Sequence, residues 1–119
     1  MDIAERVIQG AKLLELRGNL DFSSRENFMN AVQQASQNSS PHVMIDLQGI
    51  TWSDDSAISL LVIAHQKIVH HHGRLSLINP SEHIAVKLHS VKFPRIIPIF
   101  ASVEDALKRK TFPSHPVPH

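Results

Sequence analysis

In the run from Ile45 to His65, IDLQGITWSDDSAISLLVIAH, two carboxylates and a hydroxyl stand between a short apolar stretch and a longer one. These are Asp54, Asp55 and Ser56. The first stretch reads as a buried strand and the second as a helix, so the three polar residues fall at a helix N-terminus. Backbone N–H groups there lack intrahelical partners, and the helix dipole presents its positive end. Such a position suits a carboxylate cap, a serine hydroxyl, or a phosphate esterified to that hydroxyl. Local chemistry leaves two readings open: one of the three residues simply caps the helix, or Ser56 is a modification site. A hydrolase built from Ser56, Asp46 and a histidine is weaker, because no G-x-S-x-G elbow surrounds the serine and no histidine has a suitable loop context. His70, His71 and His72, with His65 seven residues before the last, suggest a metal site. Consecutive histidines on a helix point in different directions, so a solvated helix end is the simpler reading. Trp52 is either an exposed anchor for a partner or a core residue of the strand-to-helix loop.

Strands and helices must alternate to hold this junction in place. Ile3 to Gln9 and Lys12 to Arg17 read as two short strands joined at Gly10, although KLLELR alone also suits a helix. After a GNLD turn, Ser23 and Glu26 have capping-box spacing, and Phe28, Ala31, Val32 and Ala35 follow a helical stripe that SQNSSP ends. His42 to Leu47 is the central strand. The helix from Ser56 to about His71 is apolar on nearly every face in its first half, and Gly73 stops it. Arg74 to Ile78 is the next strand. Asn79-Pro80-Ser81 opens a helix to about Ser90, with Ile84, Ala85 and Leu88 inward. Ile96 to Phe100 forms an irregular or edge strand because Pro98 lacks a ladder donor. Ser102 and Asp105 start a last helix, and TFPSHPVPH reads as a disordered Pro-rich tail. The order ββαβαβαβα predicts an α/β fold with a mixed sheet and helices mainly on one face.

Composition narrows the function. A chain of 119 residues suits one domain. Without cysteine there is no disulfide, thiolate metal site or thiol nucleophile. Twelve basic residues against eleven acidic ones lack the surplus that drives nucleic-acid binding, and the absence of tyrosine leaves few stacking platforms. A protein partner fits better. No apolar run is long enough for a membrane helix, and MDIAERVIQG fits neither a secretory signal nor a transit peptide, so a cytoplasmic protein without direct membrane insertion is expected.

Several motifs together resemble the STAS family, whose founding members are bacterial anti-sigma factor antagonists. They are GNLD at Gly18 to Asp21, the strand VMIDLQGI, the D-x-S junction at Asp54 to Ser56, the Asn79-Pro80 turn and the late IIPIF strand. The likeness spans about residues 3 to 110. It implies a STAS-like mixed sheet of about five strands with about four helices mainly on one face, a domain over residues 1–110 and a tail over 111–119. It also implies a non-catalytic regulatory module that needs no cofactor. The expected partner is an anti-sigma factor with serine kinase activity of the histidine-kinase-like ATPase type, with a phosphatase as a further candidate. The family pattern at the junction is approximately D-S/T-S/T-G. Ser56 matches its phosphoacceptor, Asp54 its acid, and Asp21 the acid of the loop before the first helix. Asp21, Asp54, Asp55, Ser56 and Ala57 are thus the expected partner-binding residues. Two positions depart from the pattern: Asp55 replaces a hydroxyl residue and Ala57 replaces the glycine. The alternative that the resemblance allows is a STAS subunit of a membrane transporter complex, of the lipid-transport ATPase type, making a constitutive contact.

Overall fold

The computed structural model describes residues 1–37, 42–90 and 97–108. Strands β1 (Asp2–Ile8) and β2 (Ala11–Leu20) form an antiparallel hairpin, with Ile8 opposite Ala11. Gln9 and Gly10 both have positive φ, the signature of a two-residue turn whose twist matches the strands. A single 3-10 turn (Phe22–Ser24) leads into α1 (Arg25–Gln37), followed by β3 (His42–Ser53), α2 (Ser56–His70), β4 (Arg74–Ile78), α3 (Glu82–Ser90), β5 (Ile99–Phe100) and α4 (Val103–Lys108). The sheet order is β1-β2-β3-β4-β5, with every pair after the hairpin parallel. Each parallel strand is added on the same side of the last. Right-handed crossovers then place α1, α2 and α3 on one face of the sheet.

That face holds the main core. Phe28 and Val32 of α1, Ala57, Leu61, Ala64 and Ile68 of α2, and Ile84 and Leu88 of α3 pack on Leu14, Leu16, Val43, Ile45, Leu47, Leu75 and Leu77 of the strands. After the last strand no crossover is required, and α4 takes the opposite face, where Ala106, Val103 and Leu107 cover Ala11, Leu13, Met44 and Ile78. The helices therefore lie mainly on one face, as expected.

Several local expectations need correction. GNLD is not a turn: Gly18, Asn19 and Leu20 continue β2 opposite Ile50, Trp52 and Ser53. Gly18 makes this possible by adopting φ +112, a region that side chains resist. The capping box does not pair Ser23 with Glu26. Asp21 accepts from the Ser24 N–H while Ser24 Oγ accepts from the Asp21 N–H, because the 3-10 turn precedes α1. Helix α2 is stopped by His72, not by Gly73 as such. His72 takes φ +67, and the Gly73 N–H closes on Ile68 O at 2.9 Å. The central strand runs to Ser53 and not only to Leu47. The last strand has two residues, Ile99 and Phe100; Ile96 and the expected disordered tail lie outside the described residues.

The extension of β3 is irregular in a way that shapes the site. Glu15 pairs with Asp46 and Arg17 with Gly49; Gly18 pairs with Ile50 and Asn19 with Trp52, so β3 holds an extra residue at each shift. Two bulges change the burial period, and Leu47, Ile50 and Ser53 point inward in steps of three. Gly49 permits the first bulge, because a Cβ there would stand 2.5 Å from Leu16 O. Gly49→Ala is expected to destabilise the fold by about 1–3 kcal/mol, read as a lower urea midpoint, since the obstructing atom is backbone. An unchanged midpoint would show that the strand ends are not held this closely.

At the opposite end of the sheet, His42 is buried and its Nε2 lies 2.7 Å from Ser76 Oγ. Burial, and secondarily Arg74, lowers its pKa from 6.5 to about 4. Between those values the unfolded chain takes up a proton that the native state refuses. This contribution to stability is complete above pH 6.5 and is lost as pH falls towards 4. Urea unfolding should therefore show a stability decline over that window of up to about 1.4 kcal/mol per pH unit from this residue. In His42→Gln the decline should be shallower; parallel curves would contradict the assignment.

Candidate functional site

The carboxyl ends of β2 and β3 and the start of α2 meet at one end of the sheet. Asp54 organises them. Its Oδ1 accepts from the Ser56 N–H at 2.9 Å, its Oδ2 receives the Phe22 N–H at 3.5 Å, and its carbonyl accepts from the Ala57 N–H at 3.0 Å. One carboxylate thus caps α2 and ties the 3-10 turn to it. The Ser56 side chain holds the Asp54 carboxyl below its ordinary range; desolvation opposes it, and the backbone N–H groups of Ser56 and Phe22 add smaller contributions in the same downward direction. Asp54 is therefore charged at neutral pH.

Asp55 occupies the position just before the helix but makes no capping bond. Its side chain extends into solvent, with Lys87 Nζ of α3 at 3.9 Å from Oδ1. So exposed a pair adds little stability. Ser56 is the first residue of α2 and is half-buried, leaving part of it at the surface. Ala57 has 0% exposure and lies in the core stripe of α2, so its methyl group is beneath the surface and not on it. Asp21 stands at the end of β2, where its Oδ1 accepts from Ser23 Oγ at 2.7 Å and the Ser24 N–H at 3.1 Å. It borders a polar cavity of about 380 Å³ that Arg17, Asn19 and Asn27 also line.

The surroundings contain features that motif spacing did not reveal. Trp52 is 48% exposed, which decides between the two sequence readings in favour of a surface position, and Phe22 is 64% exposed with the Arg25 guanidinium 4.7 Å from its ring centre. His83 of α3 reaches across to Ser53, with Nε2 3.0 Å from the backbone nitrogen and 3.1 Å from Oγ. The second bulge accounts for Trp52, since alternation continued from the inward Ile50 would have turned it inward as well. Nothing local to either residue signals the contact between His83 and Ser53.

The weaker chemical readings do not assemble. Asp46 accepts from the Gln48 N–H on the sheet face opposite the one that α2 covers, away from Ser56. His72 has left the helix, so its heptad spacing from His65 no longer gives a shared face. Among the described residues no group of three or more metal-ligating side chains is gathered. Nor is any helix among them long and apolar enough to cross a membrane.

Fold and site together define a five-stranded α/β domain with an exposed acidic serine junction at the ends of its central strands. The chain belongs to the STAS family: the sequence profile of the STAS domain matches residues 2–106. No curated protein matches it significantly. Among solved structures, an anti-sigma factor antagonist from Mycobacterium paratuberculosis superposes with a TM-score of 0.80 at 16% identity, covering 90% of this chain and 91% of that one. The Bacillus cell fate determinant SpoIIAA in its phosphorylated form gives 0.68 at 18% identity, covering 92% and 99%. The murine anion transporter Solute Carrier 26 family member A9 gives 0.71 at 16% identity, covering 87% of this chain but 18% of the transporter. At these identities the likeness is one of fold.

The capping role of Asp54 is directly testable. Asp54→Ala should lower the melting temperature by a few degrees, and Asp54→Asn should recover most of the loss because an amide oxygen still accepts from the Ser56 N–H. Equal loss in both variants would mean that charge, and not the acceptor, stabilises the junction.

Proposed function

We propose that this STAS domain is an anti-sigma factor antagonist-like regulatory module whose Ser56 surface docks an anti-sigma factor with serine kinase activity of the histidine-kinase-like ATPase type, and that phosphorylation of Ser56 ends the docking. The observation that carries the reading is the position of Ser56. It is a half-buried serine at the head of α2 whose N–H donates to a charged Asp54, and the same carboxylate receives the N–H of Phe22, whose ring is exposed as is that of Trp52. Aromatic side chains of this kind supply contact area, while Asp21, Asp54 and Asp55 give the patch its charge and Ala57 supports it from below.

Phosphoryl transfer here means that Ser56 Oγ attacks the γ-phosphorus of ATP, the bond to the ADP oxygen breaks, and the serine proton passes to a base on the kinase. The product adds about −1.5 to −2 charges beside Asp54 and Asp55. It also removes the hydroxyl donor that favours the Asp54 carboxylate, and the phosphate must compete with that carboxylate for the Ser56 N–H. The helix dipole offsets part of this repulsion, so the domain stays folded while the docking surface changes charge. Such a role belongs in the cytoplasm, where ATP is available, and a phosphatase would be needed to reverse it.

Incubation with ATP and the partner kinase should add one phosphoryl group by intact mass, and Ser56→Ala should remain unmodified. Ser56→Asp should bind the partner at least about tenfold more weakly than the unmodified protein, as judged by the cost of a like charge in a desolvated patch. An unmodified native protein together with undiminished binding by Ser56→Asp would overturn the switch and leave a constitutive contact of the kind a transporter subunit makes.

A further inference from the structure

Strand β3 continues to Ser53, yet its ladder with β4 stops at Asp46. Beyond that point the α3 segment takes over as the partner of its backbone. The Ser81 N–H donates to Leu47 O at 3.3 Å, Ser81 Oγ donates to Ile50 O at 2.8 Å, and the Ser53 N–H donates to His83 Nε2 at 3.0 Å. The first two bonds involve groups that do not titrate near neutral pH. The third does not share that property. A backbone N–H pointing at Nε2 requires a lone pair there, which assigns the ring proton of neutral His83 to Nδ1. An imidazolium has two N–H groups and no lone pair, so a protonated His83 faces the Ser53 N–H as donor against donor, and its Nε2–H turns instead to Ser53 Oγ, 3.1 Å away. Ser53 is 3% exposed and has no ready access to water, whereas His83 itself is exposed and open to solvent protons.

We infer that His83 is a positioning residue for the Ser56 loop, holding Ser53 to Ser56 in place through the Ser53 N–H as the neutral imidazole and freeing that N–H when protonated. The loop is short, and Ser53 immediately precedes Asp54, whose carboxylate fixes both Ser56 and Phe22. Displacement at Ser53 is therefore passed directly to the cap. The charged groups around this contact are Glu82 and Lys87 on α3 and Asp54 and Asp55 in the loop, with Lys87 one turn along from His83 and close to Asp55. The exposed pair between Lys87 and Asp55 adds only a slight further link from α3 to the loop. The functional weight of the inference rests on Ser56 being the working residue, but its test requires neither kinase nor partner.

The test follows amide and imidazole resonances of the intact unmodified chain from about pH 8 to about pH 5, the range in which a histidine is able to act as a switch. The Ser53 amide shift should follow the His83 ring titration with the same midpoint, and its protection factor against exchange should fall about tenfold, the order expected for one lost hydrogen bond. His83→Gln keeps an acceptor without a titrating proton, so Ser53 should stay protected and lose its pH response. His83→Ala should leave Ser53 less protected at every pH. A Ser53 amide that ignores the His83 titration would overturn the inference, as would a Gln variant that retains the response. If the Ala variant does not fold, the native and Gln titrations decide the matter, and either result leaves the Ser56 phosphorylation assay independent.

Discussion

The close approach of Gly49 to the Leu16 carbonyl is the constraint on which the rest of the site depends. It lets β3 take an extra residue where β2 has none, and a second bulge follows at Trp52. A regular strand would have kept a period of two and carried one face inward to the end. The bulged strand instead turns Ile50 inward in place of Gly49 and Thr51, brings Ser53 back to the inward face, and exchanges β4 for α3 as its neighbour. From the end of that strand Asp54 caps α2 and receives the N–H of Phe22. Sheet irregularity, which costs ladder hydrogen bonds, is thus what places the polar residues.

Electrostatics at the junction differ from those of an open helix end. An uncapped N-terminus would offer free N–H groups to an incoming phosphate. Here Asp54 has already engaged the N–H of Ser56, and its carbonyl has engaged that of Ala57. A phosphate on Ser56 would enter a site that is already occupied by a carboxylate held in its charged form. The added charge would therefore act mainly outward, on whatever docks there, which is the arrangement a charge-operated surface requires.

Much of this was legible in the chain itself, and the parts that were not share a cause. The hydrophobic stripes of α1 and α2 and the run RLSLI located their elements closely, because burial on one face imposes a period that residue types display directly. The D-x-S junction is legible because it falls where strand period gives way to helix period. The end of β3 is not legible, since two bulges replace the period of two with steps of three, and QGITWS then reads as loop. Gly18 reads as turn punctuation in the sequence but serves a strand irregularity. Asp21 and Ser24, rather than Ser23 and Glu26, form the capping box because a 3-10 turn shifts the frame. The link between His83 and Ser53 joins residues thirty apart in sequence and leaves no local pattern. Ala57 illustrates the opposite limit: its place in the motif was readable, but only packing shows that it is wholly buried.

The central claim, that charge at Ser56 changes a surface and not the fold, is most directly tested by installing phosphoserine at position 56 and comparing amide spectra and partner binding with those of the unmodified chain. The account predicts shifts confined to Phe22, the residues from Ser53 to Ile58 and the facing turn of α3, with the remaining sheet resonances in place and partner binding lost. Changes spread through the core strands, or binding that survives the phosphate, would contradict it.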